Sequence, residues 1–233
     1  MYGYIRQGRR TALTRETIGG VPFWVLTAGQ GRLRRRGVRR LLRRMARCGV
    51  KTAVFEDDAW QAAAAKYGIR PPPVQALRLC KLGELLDCVC PRGLRGQAVR
   101  LHTGEDGAAA RRAAQVLARR ARYVRLDMED PAALAAELLY RWGIAAGDGG
   151  RRAALTVVCG DVREDMEGPA IYLTEDCGAR QTPVWTSPRA AALAVPVTEP
   201  LAAVLTAAGK WQISDIHIID LLDIRTESHY NAT

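Results

Sequence analysis

Arginine is the side chain whose spacing in this chain most readily does chemistry. Arg36, Arg39, Arg40, Arg43, Arg44 and Arg47 recur at three- and four-residue intervals with no acid among them. On a helix from about 34 to 48 that spacing gathers them on one face, opposite Val38, Leu41, Leu42, Met45 and Cys48. The like-charged pairs Arg36/Arg40, Arg39/Arg43, Arg40/Arg44 and Arg43/Arg47 each cost about 0.2–0.5 kcal/mol at low salt. The phosphates of a nucleic acid, or acidic side chains from elsewhere, would relieve that cost. The same face would also suit a merely solvated crossover helix in an arginine-biased chain, since only Lys51, Lys66, Lys81 and Lys210 are lysine. Few aromatic residues accompany these arginines, so base stacking on that face is not expected.

For proton transfer the candidates are His102, at the end of a predicted strand, and Asp161, ending a neighbouring one; an imidazole and a carboxylate can do acid-base work. A histidine beside a turn is as readily only hydrogen-bonded. His217 and His229 read as a strand residue and a tail residue. No Walker lysine motif, serine elbow or H-E-x-x-H occurs, so no catalytic residue is assigned. The six cysteines include no C-x-x-C pair, and the C-x-C of Cys88 and Cys90 beside Cys80 is not a structural zinc spacing, so reduced thiols and no metal are expected.

These residues sit on elements that punctuate the chain clearly. A strand at 23–26, a glycine turn at 28–31, the arginine helix and a strand at 52–55 ending in Glu56-Asp57-Asp58 make a β-α-β unit. Asp57 or Asp58 can cap a helix over 59–67, ended by Gly68. Pro71-Pro72-Pro73 demands extended chain, followed by a short strand at 74–77 and a helix at about 79–88. The pattern then repeats after Pro91 to Gly96: strand 98–101, turn 103–107, helix 108–122, strand 123–126, acids 127–130. Asp130-Pro131 starts a helix that Gly143 stops. The apolar run 153–159 reads as a central parallel strand, with another at 170–174, a loop over 178–188, a helix over 201–208 and a last strand over 215–221.

The predicted class is therefore α/β, with mainly parallel sheets in two lobes and a three-layer α/β/α build. The expected divisions are an irregular basic arm over 1–20, an N-terminal lobe over 21–95, a C-terminal lobe over 96–224 and a polar tail over 225–233. Net charge is +11, but thirteen arginines against Glu16 alone lie in residues 1–50, so the basicity belongs to the N-terminal fifth. No apolar run reaches the roughly 20 residues that span a bilayer, and no secretory signal follows the basic start, so a cytoplasmic location is expected.

In general layout the chain resembles Rossmann-like nucleotide-binding proteins, over about Pro22 to Asp58 and Ala98 to Asp130. In that family a glycine turn after the first strand admits phosphate to a helix start, and an acid ending the second strand holds ribose hydroxyls. The resemblance implies two Rossmann-like lobes binding a small anionic or nucleotide-like ligand. It assigns phosphate contact to Gly29, Gly31, Arg32 and Arg34 in the first segment and to Gly104 and Gly107 in the second. Asp127 or Asp57 becomes the ribose acid, unless these acidic clusters only cap the following helices. Arg34 stands at the third glycine position of the fingerprint, and Glu105 and Asp106 lie where a pyrophosphate would.

Overall fold

The structure, a computed structural model, describes residues 1–29, 32–104, 107–146, 152–160, 169–174 and 181–223. It divides into two compact units, Met1–Pro73 with Trp185–Ile216, and Val74–Val184 with the chain from His217 onward. Both are α/β, with helices packed on mainly parallel sheets in the three-layer manner.

The first unit is a four-stranded sheet in the order β2-β3-β1-β4, built from β1 (Tyr2–Gly8), β2 (Ala12–Ile18), β3 (Val21–Gly29) and β4 (Thr52–Phe55). β1 lies parallel to both β3 and β4, and β2 runs antiparallel to β3. Residues 1–20 are thus two strands and not an irregular arm. Tyr4 and Ile5 are both buried, because a strand in mid-sheet is covered on both faces and shows no apolar alternation to betray it. The β2-β3 turn is Gly19-Gly20, with φ of 57° and 80°, the left-handed pair that lets a two-residue hairpin follow the strand twist. Arg6 pairs with Glu16 at 2.9 Å, and Arg15 lies 4.4 Å over the Trp24 ring.

Helix α1 (Arg32–Arg47) carries the chain from β3 over β1 to β4. Val38, Leu42 and Met45 are buried against Ile5, Leu26 and Phe55, while Leu41 is half-buried. Arg35, Arg36, Arg39, Arg40, Arg43, Arg44 and Arg47 are all exposed, so the two faces are those the 3.6-residue period predicts. Gly3 lets the helix come this close: a Cβ there would lie 2.7 Å from Met45 Cε. After β4, Asp57 caps a 3-10 turn (Asp58–Trp60) by accepting from the Ala59 N–H at 2.9 Å, and α2 (Gln61–Ala65) follows. The helix Glu199–Ala207, capped by Thr198, buries Leu201, Val204 and Leu205 and packs against β4.

The second unit holds a fully parallel sheet, β6-β5-β7-β8, made of β5 (Ala98–His102), β6 (Tyr123–Asp127), β7 (Ala153–Val158) and β8 (Ala170–Tyr172). Its helices are α3 (Gln75–Cys80), α4 (Leu82–Val89), α5 (Ala108–Ala118) and α6 (Ala132–Trp142). The stretch expected as a strand at 74–77 opens α3, where Arg78 donates to the Tyr172 carbonyl at 2.9 Å. The chain changes unit at Val74 and not at Pro91 to Gly96, because α3 and α4 pack on α5. β9 (Gln181–Thr186), expected as loop, pairs with β10 (His217–Asp223). Glu84 of α4 accepts from the Ile218 N–H of β10 at 2.9 Å, a contact between residues 134 apart that no local pattern announces. No described helix is long and apolar enough to cross a membrane.

Candidate functional site

Because β1, β3 and β4 are parallel, their carboxyl ends share one edge of the first sheet, where backbone groups and the following loops leave a recess. A cleft of about 570 Å³ lies there, lined by Gln7 of β1, Gly29 of β3, Asp57 after β4, and Arg35 and Arg39 of α1. The segment after β4 completes it with Trp60, Lys66 and Tyr67. Trp60 and Tyr67 are partly buried against the core, so their rings are held in place. Three cations thus face a single carboxylate. That carboxylate is engaged: Asp57 Oδ1 takes the Ala59 N–H, and Oδ2 takes the Gln7 side-chain amide. Neither Arg35 nor Arg39 meets an acidic partner among the described residues. The cleft accordingly offers unspent positive charge beside two flat apolar rings.

Of the residues that the resemblance implicates, Gly29 lines this cleft, with its N–H donated to Thr11 Oγ1 at 3.2 Å. Gly31 and the side chains of Arg32 and Arg34 lie outside the described residues. Arg39, assigned from the sequence to a nucleic-acid face, lines the cleft, whereas Arg40, Arg43, Arg44 and Arg47 line a separate groove. Sequence reasoning missed Arg35, Trp60, Lys66 and Tyr67. The signal for the last three was their position in the short segment that directly follows the strand at 52–55, where Trp60 ends the 3-10 turn and Lys66 and Tyr67 follow α2.

The second sheet has its own edge. His102 and Asp127 are register partners at the ends of β5 and β6, and His102 Nδ1 donates to Asp127 Oδ2 at 2.7 Å. Arg100, two residues earlier on the same face, donates through Nε to the same oxygen at 3.0 Å. His102 is therefore engaged by Asp127, where the sequence pointed to Asp161; Asp161 lies outside the described residues. Burial pushes the Asp127 carboxyl up, but the hydrogen bonds from His102 and Arg100 outweigh it and hold the group below its ordinary range. The Asp127 oxygen Oδ2 is committed to this cluster before any ribose arrives. Gly104 follows at the same edge, where a Cβ on Gly160 would lie 3.0 Å from the Gly104 nitrogen, and Gly107 caps α5. Glu105 and Asp106 lie outside the described residues.

Cys159, just past β7, donates its N–H to the His102 carbonyl at 2.8 Å, and burial pushes its thiol up to about 12. With so little thiolate at neutral pH, Cys159 is expected to stay unmodified when the native protein is treated with iodoacetamide at mildly alkaline pH and to react once urea unfolds it. Peptide mass mapping reads this directly, and labelling of Cys159 in the native state at the rate of half-buried Cys48 would contradict the burial. Cys177 lies outside the described residues.

No family model matches the sequence, and no curated protein does. Among solved structures, L-tryptophan dehydrogenase from Nostoc punctiforme is similar at 14% identity with a TM-score of 0.29, over 68% of this chain and 56% of that one. N-acetyl-L-ornithine transcarbamylase is similar at 15% identity with a TM-score of 0.27, over 68% of this chain and 64% of that one. The chain spans less than two thirds of the length of either, and at these scores the likeness carries no argument about fold or function.

Proposed function

We propose that the protein binds a small anionic, nucleotide-like ligand in the cleft at the carboxyl edge of the first sheet. The observation that carries this reading is the meeting of Arg35, Arg39 and Lys66 with the Trp60 and Tyr67 rings in one recess of about 570 Å³. That volume lies in the range of small-molecule pockets. A phosphate satisfies the guanidinium groups through charge-assisted hydrogen bonds. A flat ring covers an aromatic face. Nothing in this arrangement assigns a bond-making step, so binding without catalysis is the reading adopted.

The test is thermal unfolding of the full chain with adenosine monophosphate, nicotinamide adenine dinucleotide, ribose 5-phosphate and inorganic phosphate. A ligand at a hundred times its dissociation constant stabilises by about 2.7 kcal/mol, a readily measured shift. Nucleotides are expected to stabilise more than ribose 5-phosphate, because only they reach both the cations and the rings. The Arg35→Gln/Arg39→Gln variant is expected to lose affinity by about tenfold or more while being no less stable than wild type without ligand, since it too loses like-charge pairs. No shift with any of the four, or equal shifts in the variant, would overturn the reading.

A further inference from the structure

Helix α1 presents arginine to more than the cleft. Arg40, Arg43, Arg44 and Arg47 line a second, open groove of about 690 Å³ with Thr11 and Leu41. Together with Arg35, Arg36 and Arg39 they make seven exposed guanidinium groups on one helix. None of them has a carboxylate partner among the described residues. A free nucleotide in the cleft meets only Arg35, Arg39 and Lys66 and leaves the repulsion along the rest of the helix as it was. From Arg35 to Arg47 the axis runs about 18 Å, over which one strand of stacked nucleic acid carries about five phosphates. The charge is matched to a chain of phosphates, not to one.

Resting on the cleft reading above, we infer that the ligand is one unit of a single-stranded nucleic acid. Its base lies against Trp60 or Tyr67, and the phosphates of neighbouring units follow Arg40, Arg43, Arg44 and Arg47. An acidic protein would neutralise the arginines but does not join a flat ring to an anion in every repeating unit, as a nucleic acid does. A duplex keeps its bases stacked and paired inside, away from both aromatic rings. An anionic bilayer meets an exposed face but does not enter a recess. A single strand uses both features, with stacking that tolerates any base and backbone contacts that depend on salt. The aromatic partners that the arginine helix lacks in its own sequence are supplied by the segment after β4.

The test is fluorescence polarisation of the full chain with a labelled oligothymidylate of about ten nucleotides, from about 50 to about 200 mM salt, alongside unlabelled thymidine monophosphate as competitor. The oligomer is expected to bind at least about a hundredfold more tightly than the monomer at the lower salt, since linked contacts multiply affinity. Replacing Arg40, Arg43, Arg44 and Arg47 together by glutamine is expected to weaken the oligomer and to reduce the log-log salt slope by about 3, with monophosphate affinity unchanged. The same four positions as lysine keep the slope. The free glutamine variant unfolds at higher urea than wild type, because like-charge pairs are gone, which separates lost binding from lost folding. Trp60→Ala weakens oligomer and monomer alike. If the monophosphate binds and the oligomer gains nothing over it, the inference falls and the cleft reading stands. If neither binds, the inference falls, and the thermal test with the four ligands above decides the cleft reading. Equal binding of a duplex, or oligomer binding indifferent to Trp60 and to Arg35 and Arg39, overturns the inference.

Discussion

Replacing Asp127 by alanine is expected to lower the unfolding free energy of the second unit by about 2–3 kcal/mol. The carboxylate accepts from His102 at 2.7 Å and from Arg100 at 3.0 Å, and His102 is buried. Without the carboxylate, a buried ring N–H and a guanidinium with about a quarter of its side-chain surface exposed keep their donors and lose their acceptor. Asparagine retains one acceptor but brings an amide N–H toward two donors, so its loss should fall between alanine and wild type. The carboxyl is held below its ordinary range in the folded state. Its contribution is therefore complete above the unfolded carboxyl pKa of about 4 and is lost as pH falls through the lower folded value. Urea unfolding at neutral pH and near pH 3 should show wild type losing stability on acidification more steeply than Asp127→Asn. Parallel pH curves for the two proteins would mean that the His102-Asp127-Arg100 cluster adds nothing to folding.

The second large effect is expected at Gly3, where a side chain has almost no room. A Cβ there would lie 2.7 Å from Met45 Cε and 3.0 Å from both Ala53 Cβ and Val50 Cγ1. Met45 can swing its terminal methyl aside, but the other two atoms sit on short, fixed side chains. Gly3→Ala should cost about 1 kcal/mol and Gly3→Val about 3 kcal/mol, the range for overpacked cores. Met45→Ala in the Gly3→Ala background should recover part of the loss, a coupling that a double-mutant cycle measures. Additive effects would show that helix and strand do not press on each other at this point. Such a shift of α1 would also move Arg35 and Arg39, so ligand affinity is expected to fall alongside stability.

Gly3 also shows where the sequence reading stopped. A glycine in the fingerprint turn is the usual device for bringing a helix close to its strand, and Arg34 occupies that position here. The close approach comes instead from β1, a strand hidden in a stretch read as an irregular arm. Tyr4 and Ile5 face opposite sides of a covered sheet, so their neighbours show no alternation. The Gly19-Gly20 hairpin went unread for the same reason: the pair takes left-handed backbone, but with no strand recognised before it there was nothing for the turn to join. The acid clusters divide: Asp57 and Asp130 cap the turns that follow them, at 2.9 and 3.2 Å, as contiguous residues can be read to do. Asp127 is drawn into its cluster by strand register, which contiguous residues do not specify.

The sequence by itself determined the α/β class, the two faces of α1, most caps and stops, and the concentration of positive charge in the first fifty residues. Each depends on residues within a turn or two of one another, so periodicity, capping chemistry and composition suffice. Only the tertiary structure decided that β1 lies between β3 and β4, that Trp60, Lys66 and Tyr67 meet Arg35 and Arg39, and that His102 faces Asp127. These pairings follow from strand order and register, which are set by the burial of whole faces against distant segments. A shift of one residue in register turns every side chain of a strand to the opposite face, and no local stretch of sequence carries that choice.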